Sequence, residues 1–244
     1  MIERRGRRLA VVAALAAGGT LALAGPAAAD PAGVVSQPLA QAPEETLDHW
    51  TPERVREAVA AGPPAAPGGS VDPPAGTSAI PPDAETDPAL DTVYPQRVHG
   101  LLLVQIAGQG ASCSATVVSS REEDVIVTAG HCLLIPGELS GGAGIVFAES
   151  VVFIPGYRNP GTGAAPTEPF GRFAGVRLGT PRAFAQIGDI SFDFGVVKLA
   201  PGAAGKIETA IGSRGIAFNR KPKSFRGDTF EIYGYPARPP PEYD

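Results

Sequence analysis

From Val98 onward the apolar residues of this chain come in short runs. Leu101-Leu102-Leu103-Val104, Ala115-Thr116-Val117-Val118, Val125-Ile126-Val127-Thr128, Val151-Val152-Phe153-Ile154, Phe192 to Leu199 and Thr229 to Tyr233 are separated by Gly, Pro, Ser or Asp. Runs of this length, rich in β-branched residues and bounded by turn formers, read as strands, and many in succession point to a barrel or sandwich. No convincing amphipathic helix competes with them, and no segment repeats. Composition agrees. Gly 31 and Pro 26 make up nearly a quarter of the 244 residues, which excludes a coiled coil or a helical bundle. With one Met and one Trp, the chain has little for a Met-rich groove or an aromatic nucleic-acid platform. No basic run follows the first eight residues, so no nucleic-acid partner is expected.

The N-terminal third has a different texture. Arg4, Arg5, Arg7 and Arg8 precede a sixteen-residue apolar run from Leu9 to Ala24, and Ala27-Ala28-Ala29 follow as a small-residue cleavage pattern. Residues 1–29 therefore read as a secretory signal peptide, with ordinary Sec export preferred to the twin-arginine route. The run is short of the ~20 residues that a membrane span needs. The expected mature protein is secreted, extracellular and soluble, with no membrane contact after signal removal. Its sixteen basic and twenty-four acidic residues give a net charge of −8, which disfavours anionic surfaces. Residues 30–96 read as a Pro-rich pro-segment or linker with one short helix. Between residues 61 and 92 there are eight prolines and no aromatic, Lys or Arg, too little apolar surface to offset the ordering entropy. The helix is expected from Pro52 to Val59, with Thr51 as cap, Pro52 at the first helical position, and Glu53 and Glu57 in the first turns. It is either a neutral spacer or part of a pro-segment that docks on the domain.

Cys113 and Cys132 are the only cysteines. In an exported chain their expected fate is a disulfide, closing a loop worth roughly 3 kcal/mol in the chain-entropy model. A zinc or copper site would need more ligands nearby, and this segment offers only His131, so no metal and no other cofactor is expected. His131 directly follows the strand ending at Thr128. A bridge at its neighbour would pin it, and a general base requires rigid placement. His49 and His99 read as structural or exposed.

Thr128-Ala129-Gly130-His131-Cys132 resembles the histidine motif of the chymotrypsin-like (trypsin-like) serine proteases of the secreted bacterial type. The resemblance covers roughly residues 97–244. It implies an all-β, chymotrypsin-like double β-barrel, of which this chain holds the first barrel and the start of the second. It also implies a bridge from Cys132 to Cys113 on a preceding strand, and His131 as the general base. Gly130 stands where many members have Ala, a swap that the family tolerates. Asp193, in Phe192-Asp193-Phe194-Gly195-Val196-Val197-Lys198-Leu199, resembles the aspartate motif, whose carboxylate holds the imidazole tautomer and stabilises its protonated form. Asp189 competes but lacks the strand downstream, and a strand-entry Asp that satisfies local backbone donors is the plain alternative. The Trp50 to Val59 segment resembles pro-regions of the family weakly. Implied partners are protein or peptide substrates, cleaved through an acyl-enzyme.

The family order is His, Asp, Ser, with the serine in a Gly-rich turn that also forms the oxyanion hole. No G-x-S-G-G pattern follows Asp193. Ser213 has other neighbours, Ser224 lies in a basic loop, and Ser140 in Ser140-Gly141-Gly142 precedes Asp193. The domain is therefore expected to be truncated before its nucleophile and inactive as given, with no nucleophile in this chain. Phe230 to Pro236 resembles an early strand of the second barrel. Arg97-Val98-His99-Gly100 is either a processing site or an exposed Arg at a domain edge. Two functions follow: a secreted serine endopeptidase, or a catalytically silent secreted binding module that retains the first barrel.

Overall fold

The computed structural model describes residues 33–68, 92–159, 165–217 and 233–235. The expected signal peptide, most of the Pro-rich stretch, Ser224 and most of the Phe230 to Pro236 run lie outside these residues. In chain order the elements are β1 (Val34–Pro38), α1 (Pro43–His49), α2 (Pro52–Ala61), β2 (His99–Ile106), β3 (Gln109–Val117), β4 (Val125–Thr128), β5 (Leu134–Ile135), β6 (Val146–Phe147), β7 (Ser150–Pro155), β8 (Phe173–Pro181), α3 (Arg182–Ile187), β9 (Gly195–Leu199) and α4 (Ile207–Ile211). The main sheet runs β1-β8-β7-β2-β3-β4-β9, and β8 also pairs with β9. That last pairing closes six antiparallel strands into a barrel, which removes free sheet edges. This is the architecture that the resemblance implied for the first barrel. A register shift between Gly175 and Arg177 marks where β8 bends against β9.

Two strands are buried on both faces. Leu102 and Val104 of β2 and Val151 and Phe153 of β7 point into the barrel, where they meet Val117, Ile126, Phe173, Leu178, Val197 and Leu199. Their neighbours Leu101, Leu103, Val152 and Ile154 point outward and are equally buried, under Trp50, Val55, Ala58 and Tyr157. This explains why Leu101 to Val104 and Val151 to Ile154 are unbroken apolar runs. A strand with one wet face alternates, and a strand covered on both sides does not.

Apart from Tyr157, the cover comes from residues upstream of the Pro-rich stretch. Helix α2 forms where the sequence placed a helix, with Thr51 Oγ1 accepting from the Arg54 backbone N–H at 3.4 Å. Strand β1 and helix α1 were not anticipated. α1 has no apolar period; it is held by Pro43 at its start and by the Glu45 carboxylate accepting from the Ala42 N–H. β1 gains its partner only in the folded state, pairing from Val34↔Pro181 to Pro38↔Arg177 along the half of β8 that β7 does not reach. Strand β8 was also missed, because Gly175 and Gly179 interrupt its pattern. Trp50 anchors the cover. It is 1% exposed, and its Nε1–H donates to Ser150 Oγ at 2.9 Å. Arg172, clasped by both oxygens of Glu168, donates to the Trp50 carbonyl. Among the described residues no helix is long and apolar enough to cross a membrane.

Trp50→Ala should lower the unfolding free energy by about 3–5 kcal/mol, the usual cost of truncating a large buried aromatic. A chemical denaturation series checks this. The single Trp also makes native fluorescence a direct report of whether the cover is seated.

Candidate active site

Strand β4 hands the chain to Ala129 and then to a 3-10 turn, Gly130–Cys132. Cys132 is bridged to Cys113 on β3, with Cα atoms 6.3 Å apart, so the turn is fixed to the neighbouring strand. Thr128 Oγ1 donates to the Ser114 carbonyl at 2.8 Å and ties the end of β4 to the same strand. On the other side, β9 pairs antiparallel with β4, with Thr128 opposite Gly195. The residues just past the end of β4 and just before the start of β9 are therefore neighbours. They are His131 and Asp193.

One carboxylate grips the histidine twice. Asp193 Oδ2 lies 2.7 Å from His131 Nδ1, and Oδ1 accepts from the His131 backbone N–H at 2.8 Å. Ionised Asp is an acceptor only, so Nδ1 carries the proton and Nε2 presents its lone pair. No described side chain hydrogen-bonds Nε2. Asp193 is itself seated at the end of the 3-10 turn Ile190–Phe192, its N–H donating to the Ile190 carbonyl. Its competitor takes the local role: Asp189 Oδ1 accepts from the Ser191 N–H at 3.0 Å and caps that turn. The strand expected from Phe192 accordingly starts only at Gly195. Thr180 Oγ1 on β8 donates to the Phe194 carbonyl at 2.8 Å and holds the residue after Asp193 against the barrel.

Two glycines make this close approach possible. A Cβ on Gly195 would lie 2.5 Å from Leu133 Cδ1, and one on Gly130 would lie 2.7 Å from Phe184 Cδ1 and 3.1 Å from Asp193 Oδ1. The Gly-for-Ala swap at position 130 is thus not free in this chain, because the ring of Phe184 occupies the space. Sequence reasoning passed over Phe184. Helix α3, which carries it, is six residues long with no period to read.

The serines considered in the sequence are engaged elsewhere. Ser140 Oγ donates to the Gly137 carbonyl, and Ser213 Oγ donates to Glu208 Oε1 and meets Ser119 Oγ. Neither is brought to His131. Cys113, His131 and Cys132 place their ligand-type atoms within 4.8 Å of one another, but both sulfurs are spent in the disulfide. The Arg97–Val98 bond is folded into a 3-10 turn, with Val98 fully buried and Arg97 Nε donating to the Ile211 carbonyl at 2.8 Å. Arg97 is thus neither a loose edge residue nor an open cleavage point.

His99 has a structural place. Its Nδ1 lies 2.8 Å from Thr116 Oγ1, its ring stacks on Tyr233 at 4.5 Å, and its buried Nε2 has no hydrogen-bond partner among the described residues. Burial, reinforced by the charge of Arg214, lowers its pKa from 6.5 to about 4. Between those values the unfolded chain binds the proton and the folded chain does not, so stability falls as pH drops through that window.

No family model and no curated protein matches the chain. Solved structures do. The chain is similar to the protease Anisep from Arthrobacter nicotinovorans, at 25% identity and TM-score 0.45 over 52% of each chain. It is similar to a thermostable serine protease from an extremophilic microorganism, at 27% identity and TM-score 0.44, over 52% of this chain and 53% of that one. A Glu endopeptidase in complex with MPD matches at 21% identity and TM-score 0.38, over 52% of this chain and 48% of its own. The chain spans about half the length of these structures.

Two outcomes are expected. Gly130→Ala should destabilise the fold by about 1–3 kcal/mol through overpacking against Phe184, read from a denaturant midpoint. In the native protein that midpoint should fall between pH 7 and pH 4, and His99→Gln should flatten the dependence.

Proposed function

We propose that this chain carries the base half of a secreted serine endopeptidase of the chymotrypsin-like class. His131 is the general base and Asp193 the carboxylate that orients it. The observation that carries this reading is the double grip of Asp193 on the backbone N–H and the Nδ1 of His131. A carboxylate that merely satisfied local donors has no reason to fix both the position and the tautomer of one imidazole. The fixed tautomer leaves Nε2 ready to take a proton from a serine hydroxyl, and the carboxylate then lies against the imidazolium that forms. The same proton returns to the leaving amine, and no metal or organic cofactor takes part.

The nucleophile belongs to a Gly-rich turn whose N–H groups bind the oxyanion, placed against Nε2. Ile190, Phe192 and Phe194, on the turn beside Asp193, are exposed apolar side chains. Such a surface suits a peptide substrate or a second domain. The disulfide and the N-terminal apolar run support export.

Fluorophosphonate labelling of protein made from the whole reading frame tests the proposal. The 244-residue chain by itself, which lacks the nucleophile, should not label, and the product of a reading frame that continues past Asp244 should label at a serine. Asp193→Asn should slow turnover by about 10⁴, and loss of the imidazole in His131→Ala should cost up to about 10⁶. Labelling undiminished in His131→Ala overturns the assignment. A reading frame that stops at Asp244, or a longer product that does not label, overturns proteolysis and leaves the silent binding module.

A further inference from the structure

Residues 34–62 are built into the barrel in a way that a removable leader is not. Leu101, Leu103, Val152 and Ile154 form an apolar outer face on β2 and β7, and Trp50, Val55 and Ala58 bury it. At the far end of the segment, the Gly62 carbonyl accepts from the Ser112 N–H of β3 at 2.9 Å. At the near end, β1 adds five residues of ladder to β8, the Arg182 N–H donates to the Gly33 carbonyl at 2.7 Å, and Arg177 Nη1 donates to Ser36 Oγ. Without β1, the second half of β8 would be an open edge next to α3.

The near end also reaches the candidate site. Val35 packs on the cluster of Leu134, Phe184 and Ala185. Phe184, fully buried, lies over Gly130 so closely that no Cβ fits between them. Gly130 precedes His131, and the space a Cβ would fill is bounded on its other side by Asp193 Oδ1. Strand β1, the ring of Phe184 and the His131–Asp193 pair are therefore in one continuous packed line, the kind of contact chain through which small displacements are felt.

We propose that residues 34–62 are a permanent strap on the barrel, retained non-covalently after any cut of the chain between residues 62 and 92, and that the strap acts through Phe184 as a positioning residue for His131 and Asp193. The second half rests on the reading of that pair as base and orienter. The first half stands on the packing alone. Association needs no covalent link because an apolar face, a five-residue ladder and the Trp50 anchor act together, and cutting the connection changes none of these contacts.

A protease recognition site placed between residues 69 and 91 of the full-length chain tests retention. After complete cleavage, the N-terminal piece should elute with the barrel at the volume of the uncut protein, with native Trp50 fluorescence. It should leave only in denaturant. Elution of the piece by itself under native conditions overturns the strap, whether or not the barrel stays in solution.

Positioning is tested by the low-field proton resonance of His131 Nδ1–H. Phe184→Leu should broaden or abolish this signal while far-UV circular dichroism stays native. Trp50→Phe, remote from the site, should leave it in place. If Phe184→Leu does not fold, Val35→Ala serves as the milder variant with the same expected loss. An unchanged resonance in the folded variant overturns the positioning role. These readouts need no serine, so a product of the longer reading frame that fails to label with fluorophosphonate sinks the protease reading without touching the retention result.

Discussion

The register between β4 and β9 is the constraint on which the site depends. Thr128 sits opposite Gly195, and the chain leaves both strands at the same end of the barrel. One segment turns through Gly130–Cys132 and the other arrives through Ile190–Phe192. A slip of one residue in this pairing would send alternate side chains to the opposite face, and Asp193 would no longer meet both nitrogens of residue 131. The register is held by burial of Ile126 and Val197, by the Cys113–Cys132 bridge and by the Thr180 hydroxyl on the Phe194 carbonyl. Stability and site geometry are here the same set of contacts.

The closure of β8 on β9 makes that register possible, and the price appears at β8. It bends at Gly175, leaves β7 after two pairs and, with β9 on one side of its second half, has an open backbone edge on the other side unless another strand arrives. β1 arrives. The outer face of β2 and β7 has the same history, apolar where a barrel exterior is commonly polar and covered by helices that come from the other side of a Pro-rich stretch. The extra elements on this barrel are answers to two specific exposures.

Much of this was legible in the residues. His131 and Asp193 stand in short local motifs, so their pairing was readable before any contact was known, and the fate of the two cysteines followed from there being only two. The strands of the barrel announced themselves as apolar runs. What did not show was set by partners distant in sequence. β1 has no strand-like alternation of its own and is a strand because β8 offers it a ladder. Phe184 sits on a six-residue helix without a pattern, and its importance comes from standing over Gly130. The choice between Asp189 and Asp193 followed from the strand after Asp193, and the structure adds the reason: one aspartate caps a turn, while the other reaches across to the histidine. The double apolar faces of β2 and β7 were visible as unbroken runs, yet the sequence alone does not say what lies on the second face.

The pairing of Val34 with Pro181 joins the beginning of the described chain to a point far downstream. On a ribosome, β1 is made long before its partner and must wait, unpaired, until nearly all of the barrel has been synthesised. Contacts of such wide sequence separation slow the search for the native state. The ladder beside the His131–Asp193 pair, β4 with β9, waits longer still, because β9 follows β8 in the chain, so newly made molecules would acquire a defined imidazole only once β9 has been made.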